Sequence, residues 1–344
     1  MKTLSFVIPA YNSSAFLDRC ISSMLCEAVA DQLDIVIVND GSTDDTADIA
    51  QKYCEQYPGV VRLISQENRG HGGALNTGCA AAEGKYLKVI DADDWVVTEN
   101  LPVFVQSLEK CEHDVVLTHY RTINISNGEI RNWKTFPVEF GKGYSFSEIM
   151  TQWKNFDRCL TFHGITYRTA FYRQMGIQLS EHVFYEDHEF ATFPCCYAED
   201  VLPLDLFVYD YRIGDQNQSV SDSNQLKRIG HLETVLDRMR TEHARLTLSQ
   251  EDPGRHYVQM KTQGLLMSYL LISMLLNHDK RSGRRAGKRM MDIFRQQMPQ
   301  TWCLARKQYG ILRVLNLFHV SRKQFDQVLR SHLYNKLRNN RGFD

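Results

Sequence analysis

The chain has 344 residues, 43% of them apolar and 24% charged, and a net charge of −1. That length holds one large domain or two ordinary ones, and the composition is that of a globular protein, which excludes disordered and collagen-like classes. The charge is unevenly spread, because residues 280–344 carry 16 Lys and Arg against only 3 Asp and Glu. Such asymmetry suggests a basic C-terminal module that meets an anionic partner. Nine cysteines without a Cys-x-x-Cys pair speak against a disulfide framework or a zinc module and fit a reducing cytoplasm. The apolar part of the N-terminus is too short for a signal peptide, and the run at 265–276 falls short of the roughly 20 residues that span a bilayer. A cytoplasmic protein is expected.

The first hundred residues alternate strand-like and helix-like patterns. Leu4-Ser5-Phe6-Val7-Ile8 is an apolar run stopped by Pro9. Phe16, Leu17, Cys20, Ile21, Met24 and Leu25 recur at helical spacing, with Ser13 or Ser14 as N-cap. Asp34-Ile35-Val36-Ile37-Val38 is a second buried strand, followed by the turn Asn39-Asp40-Gly41-Ser42-Thr43-Asp44 and a helix with Ala47, Ala50, Cys54 and Tyr57 on its buried face. Residues 60–64 and 86–90 give two more strands, and a helix is expected to start near Thr98. The alternation predicts an α/β fold, a mostly parallel sheet with helices on both faces. Further on, Val115-Val116-Leu117 reads as a strand, residues 123–140 as a hairpin around Asn127-Gly128, residues 144–156 as helix, and residues 206–212 as a strand. After Ser223 four or five helical segments follow, with no internal repeat.

Four strand ends carry the polar chemistry. The first ends in Pro9-Ala10-Tyr11-Asn12, without the Gly-x-Gly-x-x-Gly of a dinucleotide site, and its aromatic ring can stack on a base. The second ends in Asp40, which can accept from a base or ribose or else cap the next helix. Glu67-Asn68-Arg69-Gly70-His71-Gly72-Gly73-Ala74-Leu75-Asn76 is a glycine-rich loop opening a helix, a natural anion site. The fourth strand breaks into Asp91-Ala92-Asp93-Asp94. Asp91 and Asp93 lie two apart and point the same way on an extended backbone, and two hard oxygen ligands suit Mg²⁺ or Mn²⁺. An acidic turn capping a helix is the plainer alternative.

In order and spacing these four segments resemble the family 2 glycosyltransferases, nucleotide-sugar-dependent enzymes of the GT-A fold. The likeness extends to Tyr185-Glu186-Asp187-His188-Glu189-Phe190 and to Tyr209-Asp210-Tyr211-Arg212 with Ser219 and Ser221. It thus covers residues 1–222, a GT-A domain with a nucleotide-sugar half at 1–100 and an acceptor half at 101–222. It implies little about the basic helical region at 223–344.

The resemblance implies roles. Pro9, Ala10, Tyr11, Asn12 and Asp40 would hold the base, most often uracil. Asn68, Arg69 and Gly70 through Asn76 would line the nucleotide and pyrophosphate. Asp91 and Ala92 would touch ribose, and Asp91 and Asp93 would bind the divalent metal. Asp187 would be the general base, with Glu186 beside it on the substrate, and Arg212 would add positive charge on the diphosphate. The processive members' Gln-x-x-Arg-Trp motif is missing, since Gln327-Val328-Leu329-Arg330-Ser331 lacks the Trp. One sugar per encounter is therefore expected, moved with inversion from a nucleotide sugar to a glycan or lipid-linked hydroxyl, in cell-surface polysaccharide or glycoconjugate synthesis. His163 and His188 are candidates for a third metal ligand or a sugar contact. Cys195 and Cys196 read as packing residues.

Competing readings are a catalytically inactive nucleotide-sugar-binding GT-A module, a glycoside hydrolase with two carboxylates, and a nucleotidyltransferase of related fold. Intact Asp93 and Asp187 argue against the first, and the nucleotide-type loops against the second. The start Pro9-Ala10-Tyr11-Asn12 argues against the third. For the basic region the expectation is a peripheral membrane contact or a homo-oligomer contact. It matches no nucleic-acid-binding motif, and no nucleic acid is expected.

Overall fold

The computed structural model describes residues 2–135, 137–214 and 222–327. The chain divides into two units, one of residues 1–218 with 247–258, the other of residues 219–246 with 259–344. Ser219, Ser221 and residues 328–344 of the basic tail lie outside the described residues.

The first unit is an α/β sheet. Its elements begin β1 (Leu4–Ala10), α1 (Leu17–Met24), β2 (Leu33–Asp40), α2 (Thr46–Gln56), β3 (Val61–Gln66), α3 (Gly70–Ala81), β4 (Tyr86–Val89), β5 (Trp95–Val96) and α4 (Leu101–Glu109). They continue as β6 (Val115–Asn124), β7 (Ile130–Trp133), β8 (Tyr144–Ser145), α5 (Phe146–Thr151), α6 (Trp153–Phe156), β9 (Ile165–Arg168), α7 (Thr169–Gln174), α8 (Asp187–Thr192) and β10 (Asp200–Ile213). The sheet order is β3-β2-β1-β4-β9-β6-β10-β5. It is parallel through β3-β2-β1-β4 and at β6–β10, and antiparallel where β9, β5, β7 and β8 join.

β1 and β2 are buried along their whole length, as strands covered on both faces must be. Their N-terminal ends are tied by polar bonds. Ser5 Oγ donates to Asp34 Oδ2 at 2.5 Å, and Arg62 forks onto Asp34 at 2.8 and 3.0 Å. The C-terminal ends carry the candidate site. β2 and β3 run to one side of β1 and β4 to the other, so the strand order reverses at β1, the usual ligand position in open α/β sheets.

Local differences from the expected elements have local causes. α1 starts at Leu17, without a side-chain cap, because Ser13 contributes its carbonyl to Phe16 and Leu17 while its hydroxyl turns to Tyr11 O. Thr98 opens a single 3₁₀ turn before α4. The strand at 115–117 and the first arm of the hairpin are one strand, β6. Residues 144–145 pair with β10, and the helix then starts at a capping box, Ser145 with Glu148.

In the second unit lie α9 (Asp222–Lys227), α10 (Ile229–Arg245), α12 (Lys280–Gln297) and α13 (Pro299–Leu317). α11 (Pro253–Leu271) ends in a π-helical turn, Ile272–Leu276. Met290, Met291 and Phe294 of α12 and Leu312 of α13 are buried. Among the described residues no helix is long and apolar enough to cross a membrane.

Candidate active site

The acidic turn after β4 divides into unlike carboxyl groups. Asp94 is 1% exposed, with the Tyr209 hydroxyl 2.5 Å from its Oδ2 and the Arg212 amide donating to its Oδ1 at 2.7 Å. Burial, then the charges of Asp91 and Asp93, push its pKa well above the usual carboxyl value. Its two oxygens are taken up by the fold. Asp93 is a third exposed, with Arg212 Nη1 3.5 Å away. Arg212 also lies over the Phe16 ring, 4.4 Å from its centroid.

Asp91 reaches a residue that the sequence reading did not single out. Its Oδ1 lies 2.8 Å from His71 Nε2, and the other ring nitrogen of His71 lies 2.5 Å from Glu186 Oε1. A carboxyl group at each ring nitrogen favours the doubly protonated ring, in which both N–H groups donate. Burial alone would lower the His71 pKa, but the hydrogen bonds and charges of Asp91 and Glu186 outweigh it and hold the value well above 6.5. Asp91 is likewise held below its usual value, His71 overcoming the effect of burial. One imidazole thus links the acidic turn to the Glu186–Asp187 pair.

The glycine-rich segment explains how that link is reached. An anion site was expected there, yet its glycines approach the chain's own backbone. Gly70 has φ +74°, and a Cβ on it would stand 2.7 Å from His182 N. A Cβ on Gly72 would stand 2.1 Å from Ser180 O. Only glycine lets residues 180–182 lie this close to the start of α3. Asn76, expected on the nucleotide, is turned to the same segment: its amide donates to Leu179 O at 3.0 Å and accepts from Leu179 N at 2.8 Å. Arg69 pairs with Glu181, and its carbonyl accepts from His182 N at 3.1 Å. Asn68 donates to Asp40 O at 2.8 Å.

At the ends of β1 and β2, Tyr11 is 52% exposed, while Pro9 and Ala10 are buried in the strand. Asn12 sits in the left-handed region at φ 48° and accepts from Thr43 N at 2.8 Å, which fastens the two loops together. Asp40 is buried and its Oδ1 accepts from Gln66 Nε2 at 2.7 Å and Arg69 N at 2.8 Å. Asp187 is half-buried at the first position of α8, and its charge reaches His163 and Tyr211. Ala92 is buried between Asp91 and Asp93.

His163 is not placed as a third metal ligand. Its ring is stacked between Tyr120 and Tyr211, with centroids at 5.0 and 4.4 Å, and burial lowers its pKa to about 4. Among the described residues no group of three His, Cys, Asp or Glu is arranged to hold a metal ion, so His188 does not complete such a set either. Cys195 and Cys196 are buried and unbridged. Lys88 was also missed. It is wholly buried in β4, donates to His163 O at 2.7 Å and Ile165 O at 3.2 Å, and burial lowers its pKa to about 7. A lysine inside the apolar run of residues 86–90 was the available signal.

An open sheet with an acidic turn beside its reversal point, and a second acidic pair folded onto the same helix, is the layout of a GT-A glycosyltransferase. The chain belongs to glycosyl transferase family 2, whose profile fits residues 5–176. It is 28% identical over 213 residues to the uncharacterized glycosyltransferase EpsJ of Bacillus subtilis, covering 61% of this chain and 60% of that protein. It is 44% identical over 136 residues to the uncharacterized glycosyltransferase YibD of Escherichia coli, covering 40% and 38%. To the chondroitin synthase of Escherichia coli it is 35% identical over 136 residues, covering 39% and 20%. The matches therefore span less than two thirds of these relatives' length. In fold, it resembles S. aureus TarS 1–349, solved alone and with UDP-GlcNAc, at a TM-score of 0.63 and 17% identity over 95% of this chain and 92% of that one.

Proposed function

We propose that the chain moves one sugar from a uridine diphosphate sugar to a hydroxyl of a glycan or lipid-linked acceptor, with inversion at C1, in the assembly of a surface polysaccharide or glycoconjugate. The observation that supports this reading is the convergence of Asp91 and Glu186 on His71, which brings the acidic turn close to the Glu186–Asp187 pair. The UDP-GlcNAc complex of the TarS neighbour and the likeness to chondroitin synthase support the choice of sugar donor and product class.

In the proposed step the acceptor oxygen bonds to C1 as its proton passes to Asp187. The bond from C1 to the diphosphate oxygen breaks, and its electron pair leaves with UDP. Tyr11, exposed at the end of β1, offers a stacking face for the base, and Arg212 adds positive charge on the side of Asp93.

A divalent cation, Mg²⁺ or Mn²⁺, fits the donor set here. Asp91, Asp93 and Asp94 crowd negative charge so strongly that they raise the pKa of Cys20 after burial has done so. Asp93, with the Asp91 oxygen not used by His71, would hold the ion. Such an ion supplies positive charge to the departing diphosphate. A mannosyltransferase of similar fold, PcManGT from Pyrobaculum calidifontis, was solved with GDP-Man and Mn²⁺, at a TM-score of 0.50 and 14% identity over 91% of this chain and 86% of that one.

The test is a panel of UDP- and GDP-sugars with Mn²⁺, read first by thermal shift and then by nucleotide release with hydroxyl acceptors. Stabilisation and turnover with a UDP-sugar are expected. Binding without release under any acceptor would mean an inactive module.

A further inference from the structure

We propose that His71 is a positioning residue, the strut that sets the acceptor-side carboxylates against the sugar-donor site. The inference rests on the reading of Asp187 as the base.

Residues 179–182 are already fastened to α3 by Asn76, by Arg69 and by the close approach at Gly70 and Gly72. Those contacts hold the segment, and Gly72 also borders the Glu186 Cγ, but none of them is a hydrogen bond to Asp91 or to Glu186. His71 continues from α3 by hydrogen bonds to both. Glu186 is 4% exposed, Oε1 bonds to His71, and Oε2 is buried with no hydrogen-bond partner among the described residues. The imidazole is therefore the hydrogen-bond partner that orients the Glu186 carboxyl group, and Asp187 is the next residue in the chain. A buried carboxylate stripped of its partner must move, protonate or admit water. Reach and valence favour histidine here, since its two ring N–H groups point to opposite sides. The same bond commits Asp91 Oδ1 and leaves its other oxygen for the sugar-donor side.

His71→Ala should lower kcat by about 10 to 10²-fold, because small misplacements of reacting groups cost this much, with the sugar-donor KM changed by no more than about threefold. Hydrogen exchange should rise across residues 183–187 and stay unchanged in α2. Adding Glu186→Gln to His71→Ala removes the unpaired charge. The melting temperature should then recover while kcat stays as low as in the single variant, the non-additivity of residues that act as one unit. A wild-type kcat in His71→Ala, recovery of kcat together with melting temperature, or unchanged exchange at 183–187 would each overturn the proposal. Asp187→Asn measured alongside separates the two readings. If it turns over normally while His71→Ala still loses kcat and loosens 183–187, the base assignment fails and the strut stands.

Discussion

The Tyr209 hydroxyl lies 2.5 Å from Asp94 Oδ2, joining the acidic turn to a strand 115 positions away. That bond, with the one from the Arg212 amide, marks Asp94 as the member of the turn that holds it in place. Because Asp94 is buried and its oxygens serve the fold, Asp94→Asn, which keeps the shape, should keep transfer within about tenfold and melt near wild type, the loss of one hydrogen bond being worth about 1 kcal/mol. Asp94→Leu should destabilise by about 1–3 kcal/mol, since it strands the Tyr209 hydroxyl and a backbone amide. Thermal melts and initial rates on the two variants check this, and an inactive but stable Asp94→Asn would contradict it.

Asp93 should behave in the opposite way. Asp93→Asn keeps the shape but removes the carboxylate proposed to hold a cation, so the fold should persist while transfer is lost. UDP should stabilise the wild type more with Mn²⁺ than with EDTA, and this difference should vanish in the variant. A variant fully active in EDTA would remove the metal from the account.

Lys88 gives a stability signature in pH. The unfolded chain keeps this proton up to about 10.5, whereas the buried ammonium releases it near 7. Between these values the unfolded state binds more protons, so stability rises with pH, by at most about 1.4 kcal/mol per pH unit. Below pH 7 the whole penalty is present. Lys88→Met should flatten the rise between pH 7 and 10 in urea unfolding. A variant with the wild-type slope would show that Lys88 stays charged in the fold.

Much of the site was legible because parallel strands announce themselves as apolar runs and end where polar residues begin. The strand ends at Ala10, Asp40 and Val89 fall where the motifs begin. Long-range pairing was not legible. Nothing near His71 in the chain says that Glu186 waits 115 positions on. The glycines of 70–73 announced a close approach but not its partner, which proved to be residues 180–182 rather than an open phosphate cradle. Asn76 was drawn to the nucleotide by its motif and is turned instead to Leu179.

The basic region offers a separate test. Ile311, Val314, Leu317 and Phe318 of α13 and its C-cap are exposed, Phe318 by 79%, in a region rich in Lys and Arg. We expect anionic vesicles to pellet the protein and neutral ones not to, with each Lys or Arg near the surface adding ~1 kcal/mol and salt weakening the effect. Removing residues 280–344 would strip buried Met290, Phe294 and Leu312, so Ile311→Ser with Phe318→Ser is the cleaner variant. Equal pelleting with neutral vesicles, or no loss in the double variant, would leave a contact between copies as the better use of this face.

The measurement that bears most directly on the whole account is the kcat of Asp187→Asn with a UDP-sugar. The side chain is half-buried at the start of α8, and the substitution leaves its size nearly unchanged. If Asp187 takes the acceptor proton, kcat should fall by about 10² to 10⁴-fold while UDP affinity by calorimetry stays near wild type. Wild-type turnover in this variant, with UDP bound as before, would contradict the assignment and give the base to another group.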